Sequence, residues 1–114
     1  MKILLDTHTF IWLILDDPQL PVWLRKTIDD PQNAVYLSIV SIWELGIKIG
    51  AGKLELNPSL DILIEQALDN DIKILMIRPE HVYTMMTLPL HHRDPFDRMI
   101  IAHYNVQLLW NTTI

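Results

Sequence analysis

The sequence predicts a three-layer α/β domain with a mainly parallel sheet. Short apolar runs recur at Ile3–Leu5, Ala34–Leu37 and Ile72–Ile77, and continuous runs of this kind suit strands covered on both faces. Helical patterns separate them, with apolar residues three and four apart. Turn-forming clusters fall at the joins: Asp17-Pro18, Asp29-Asp30-Pro31, Gly50-Ala51-Gly52 and Asn70-Asp71. Strands alternating with helices in this way build parallel sheets with helices on both faces.

With 114 residues, the chain is expected to form a single domain over 1–114, large enough for a core but not for two. Half of it is hydrophobic and a fifth charged, which is a globular composition. It has no cysteine, so disulfides and thiolate metal sites are excluded and a reducing, cytoplasmic setting is expected. Phe10–Leu15 is far shorter than the ~20 apolar residues of a membrane span, and Asp6 interrupts the N-terminal run. No signal peptide and no membrane association are expected. The net charge is −5, which argues against a simple basic-patch nucleic-acid binder. It is compatible with a nuclease whose clustered acids are neutralised by divalent cations.

In chain order, Ile3–Leu5 is a buried strand ending in Asp6, at the carboxyl rim where open α/β sheets bind ligands. Asp6 is also a good N-cap for the helical pattern that opens at Thr7. Phe10–Leu15 is apolar all round and reads as a buried helix, and Leu20–Ile28 as an amphipathic one. Ala34–Leu37 is the second strand. From Ser38 a helix runs through Ile49, with Ile39, Trp43 and Ile47 as its apolar surface. Leu54–Leu56 reads as a short extended arm at a sheet edge. Ser59 is placed as N-cap of a helix over Leu60–Leu68, and Ile72–Ile77 is the third strand. Pro79 opens a helix reaching Leu88, Asp94-Pro95 another reaching about Tyr104. Val106–Trp110 is the last strand, and Asn111–Ile114 a tail. Trp12, Trp23 and Trp43 lie at helical spacing among aliphatic residues and read as core. His91-His92 lacks zinc-ligand spacing and reads as loop.

The acids carry the chemistry. Glu44 follows the second strand by about two helical turns, level with Asp6. Its bland reading is an i,i+4 ion pair with Lys48. Asp94 and Asp97 are three apart and share a helix face, with capping and the helix dipole as their bland explanations. Carboxylates converging on one rim repel unless cations hold them. Oxygen-liganded Mg2+ or Mn2+ is the economical answer.

Leu4-Leu5-Asp6-Thr7-His8, Ser38-x-x-Ser41-x-Trp43-Glu44 and His92-Arg93-Asp94-Pro95-Phe96-Asp97-Arg98 followed by Ile101-Ala102 resemble the signature blocks of PIN-domain proteins. The resemblance is to VapC-type ribonuclease toxins of bacterial toxin–antitoxin pairs, and it spans Met1 to about Ala102. It implies a small three-layer α/β/α PIN-like fold and an Mg2+- or Mn2+-dependent RNA endonuclease. It also implies a cognate antitoxin that occludes the site, and a homodimer. By the resemblance, Asp6, Glu44 and Asp97 match the catalytic metal-binding acids and Asp94 an additional metal ligand. Thr7, Ser41, Arg93 and Arg98 are assigned to substrate contact, with Lys48 and Lys53 as further basic residues able to steer RNA.

The chain departs from that family's pattern near its C-terminus. A fourth strand ending in an acid, commonly in a Thr-x-Asp context, is absent between Ala102 and Val106, so the fold is expected to be shortened there. The alternative function is therefore a catalytically weakened PIN remnant that binds antitoxin or RNA without cleavage. The vacancy beside the first strand leads to one further expectation, that Val106–Trp110 pairs directly beside Lys2–Leu5.

Overall fold

The computed structural model describes residues 1–87, 95–106 and 112–113. Strand β1 (Lys2–Leu5) leads into helix α1 (Thr7–Ile14), followed by α2 (Val22–Asp29), β2 (Ala34–Ser38) and α3 (Ile39–Gly50). Then come α4 (Leu60–Asp69), β3 (Ile72–Leu75), α5 (Pro79–Met86), α6 (Pro95–Val106) and β4 (Thr112–Thr113). The sheet order is β3-β2-β1-β4, and every pairing in it is parallel. The register sets Ile3 beside Val35 and Leu5 beside Leu37, so both strands end at the same rim.

Side chains alternate across β1. Ile3 and Leu5 join Val35, Leu37 and Ile72 in a cluster with Phe10 of α1, Leu24 and Ile28 of α2, and Ala67 of α4. Leu4 points the other way, against Ile100 of α6, with Tyr36 and Leu75 beside it. A third cluster of Val40, Met99 and Ala102, with Val82 and Met85 packed on it, joins α3, α5 and α6. Helices on both faces of the sheet make the expected three layers. Ile3, Leu4 and Leu5 are each fully buried, at about 1.5–3 kcal/mol for each aliphatic side chain removed from water.

Local chemistry sets the element ends. Ser38 Oγ accepts the Val40 N–H at 3.0 Å, capping α3 and stopping β2 where the site begins. Pro79 occupies the first turn of α5, where its missing N–H costs nothing. His81 Nδ1 accepts the Arg78 N–H at 2.9 Å, and its ring is fully buried. Burial lowers the His81 pKa below the ordinary histidine value, the Arg78 charge lowers it further, and Glu80 opposes both.

Several expectations change. Helix α1 starts at Thr7 and buries Thr7, Thr9 and Phe10, while Ile11 to Ile14 are only half-buried. Leu54–Leu56 forms no strand; Leu54 instead packs against the core. Strand β3 stops at Leu75, and Met76 and Ile77 are exposed. Ser59 sits at the N-cap of α4 without a side-chain bond to the backbone; its hydroxyl donates instead to Asp61 Oδ1 at 2.6 Å. Trp23 and Trp43 are exposed at 66% and 59%, so neither belongs to the core. Val106 is the last residue of α6, and the rest of the expected final strand, residues 107–110, lies outside the described residues. The place beside β1 is taken by the same chain further on: Thr112 pairs with Ile3 and Thr113 with Leu4, where a tail was expected.

Candidate active site

The site is built where β1 and β2 end. Asp6 follows β1 with extended backbone, and its Oδ1 accepts the His8 N–H at 3.3 Å, so it caps α1 as its residue type favours. Its side chain is exposed at the rim. One residue on, Thr7 turns inward and is buried.

From the other strand, α3 brings Ser41 and Glu44, which are three apart and share a face. Thr7 Oγ1 lies 2.8 Å from Ser41 Oγ and 3.1 Å from Glu44 Oε1. A carboxylate only accepts, so the single Thr7 proton is assigned to Glu44, and Ser41 donates to the Thr7 oxygen. The second carboxylate oxygen, Oε2, accepts from Lys48 Nζ at 3.0 Å. Both oxygens of Glu44 are thus engaged, and the residue is buried. A buried charge needs such partners.

Helix α3 is rotated away from the expected stripe, of which Ile39 is half-buried against the core. Its buried face is Val40, Ser41, Glu44 and Leu45, while Trp43 and Ile47 face outward. Phe96, at the start of α6, packs edge-on against Trp43 with ring centroids 5.1 Å apart. That contact sets the first turn of α6, which contains Asp97, beside the helix that carries Glu44. The Asp97 side chain and all of Asp94 and Arg93 lie outside the described residues. Among the described residues, no group of three or more acidic or imidazole side chains forms a metal cluster. Arg98 is half-buried, and its Nη2 donates to the Met85 carbonyl at 2.8 Å, tying α6 to the end of α5. Lys53 is exposed.

Thr7 and Ser41, assigned from sequence to substrate contact, are buried inside the protein, Thr7 bonded to Glu44 and Ser41 to Thr7. The signal for this was available in the i,i+3 spacing of Ser41 and Glu44. The inward turn of Thr7 is set by tertiary packing and had no local signal.

The chain matches the model of the PIN domain over residues 3–105, and it belongs to the PIN-domain family, whose members are generally nucleases. Its fold is similar to that of a chain in the crystal structure of VapBC2 from Rickettsia felis bound to a DNA fragment from their promoter. The TM-score is 0.64 at 16% identity, covering 90% of this chain and 80% of that one. A comparison with curated protein sequences finds no match. Among the described residues no helix is long and apolar enough to cross a membrane.

Proposed function

We propose that this protein is a divalent-metal-dependent RNA endonuclease, the toxin of a toxin–antitoxin pair acting in the cytoplasm. The observation that carries the reading is Glu44. Glu44 lies on the buried face of α3 beside Val40 and Leu45, while Trp43 and Ile47 stay exposed, and Thr7 and Lys48 engage both of its oxygens.

The donor set fits Mg2+ or Mn2+. Asp6 and Glu44 offer hard oxygen ligands at one rim, with Asp97 and Asp94 to complete the set. The Lys48 ammonium already seated at Oε2 indicates that this carboxylate takes a cation. Such an ion, when bound, supplies an acidified water and neutralises charge building on the phosphate. The chain's own residues do the positioning. Thr7, itself bonded to Ser41, holds Glu44 from the inner side, the α1 cap holds Asp6, and the basic side chains of Arg93 and Arg98 are the groups proposed to meet the RNA phosphates.

Trp43 and Ile47, exposed beside the site, form an apolar stripe of the kind that marks protein interfaces. This supports a cognate antitoxin covering the rim, as does the structural neighbour, which is VapBC2; a homodimer is part of the proposal as an expectation of the family resemblance. The second reading, a weakened remnant that binds antitoxin or RNA without cutting, draws on the shortened sequence between Ala102 and Val106, where the family pattern has a further strand and its acid.

The test is cleavage of a broad RNA panel with Mn2+ by the parent and by Glu44→Gln. The expected result is cutting that Glu44→Gln abolishes. Undiminished cutting by Glu44→Gln removes Glu44 from the mechanism, and no cutting by the parent selects the remnant. In parallel, Mn2+ should raise the parent melting temperature by ligand linkage, and Asp97→Asn should blunt the shift.

A further inference from the structure

We propose that Lys48 is a built-in counter-ion of the site, holding Glu44 when no divalent cation is present and competing with that cation for the carboxylate. The proposal rests on the metal-site reading above and adds a residue whose charge tunes occupancy.

The geometry carries it. Lys48 Nζ is 3.0 Å from Glu44 Oε2, and the two side chains are 44% and 11% exposed. The other oxygen, Oε1, is taken by Thr7 from the inner side. Oε2 is therefore the oxygen open to an incoming cation, and the ammonium stands on it. A lysine ammonium and a divalent ion repel, and both cannot sit within contact distance of one carboxylate oxygen without a Coulomb cost. Displacement of Lys48 is easy in structural terms. Its head is partly solvated and its four-carbon stem is flexible, so it can leave without disturbing α3. Glu44 cannot follow, because Thr7 and the burial of its stem keep it in place. Exchange thus runs from one cation to another at a fixed carboxylate. The pair keeps Glu44 from standing buried and uncompensated, a state that is strongly destabilising.

Lys48 also lies in the last turn of α3, where the helix dipole favours any cation. A purely dipolar role would leave metal affinity unmoved, which separates the two explanations. The experiment is calorimetric titration of Mn2+ into the parent, Lys48→Met, Lys48→Arg and Glu44→Gln, with melting curves of each without metal. Lys48→Met should bind Mn2+ about threefold to tenfold more tightly than the parent, the scale of a part-buried charge pair, and should melt lower in the absence of metal. Lys48→Arg, which keeps the charge, should stay near the parent in both. Unchanged or weaker Mn2+ binding by folded Lys48→Met, with the parent binding normally, overturns the counter-ion role alone. No Mn2+ binding by either the parent or Lys48→Met overturns both the metal site and this proposal. Binding by Lys48→Met alone supports both.

Discussion

Thr7→Val tests whether Glu44 is held as described. Valine has nearly the shape of threonine, so the change deletes a hydroxyl without opening a cavity. Two contacts vanish, at 2.8 Å to Ser41 and 3.1 Å to Glu44, and Ser41, which is fully buried, has no solvent to turn to. A hydrogen bond to a charged acceptor contributes roughly 1.5–3 kcal/mol, so the loss should be about 2 kcal/mol. For 114 residues at about 2.1 cal/mol/K each, the unfolding entropy is roughly 0.24 kcal/mol/K and the Tm should fall by about 8 °C. Urea unfolding of Thr7→Val, Glu44→Gln and the double variant closes a cycle. In the Glu44→Gln background the acceptor is neutral, and Thr7→Val should cost about 1 kcal/mol less than in the parent. A Thr7→Val stability within about 0.5 kcal/mol of the parent, or strict additivity with Glu44→Gln, refutes the reasoning.

Two further perturbations probe the scaffold. The lowered His81 pKa means the folded state prefers neutral imidazole. Its contribution to stability should be constant above about pH 6.5 and should fall as pH drops from there through the folded pKa. Urea melts between pH 8 and pH 5 should show the decline in the parent and a shallower one in His81→Asn, and parallel curves would exclude His81 as the source. Leu5→Ala, at a fully buried position, should cost about 2–5 kcal/mol, and a loss under about 1 kcal/mol would contradict coverage of that sheet face.

The sequence carried the sheet and the rim because both depend on local signals. Continuous apolar runs mark the strands, and Asp6 and Ser38 punctuate their ends as capping residues do. The orientation of α3 was not legible from its own residues. Taken alone, Ile39, Trp43 and Ile47 are its best face to bury, yet the structure buries Val40, Ser41, Glu44 and Leu45, leaves Ile39 half-buried and exposes Trp43 and Ile47. Glu44 is buried with two partners: Lys48, one turn on and legible in the sequence, and Thr7, 37 positions earlier, a partner so distant that it leaves no trace in the periodicity of α3. The same holds for Trp43, whose packing against Phe96 fixes it on the outside of the helix. That Trp43 and Ile47 stay exposed while Glu44 turns inward is visible only in the assembled fold.

The pairing of β4 with β1 leads to the last prediction. Strand β1 is fully buried from Ile3 to Leu5, so its backbone groups have no water to fall back on. On one edge β2 pairs along its whole length. On the other, the described pairing consists of Thr112 with Ile3 and Thr113 with Leu4. Removing residues 112–114 leaves those β1 groups without partners, and each orphaned buried group costs about 1–3 kcal/mol. Partial solvation of the new edge offsets some of this, so the net loss should be roughly 2–4 kcal/mol, comparable to deleting a large core side chain. Hydrogen exchange is the sharper assay, because it reports on β1 itself. The Ile3 to Leu5 amides should exchange near the global unfolding limit in the parent and lose protection in the truncated chain, while β3 amides change only as global stability does. Equal protection of β1 in both proteins would mean that β4 is not what closes this edge.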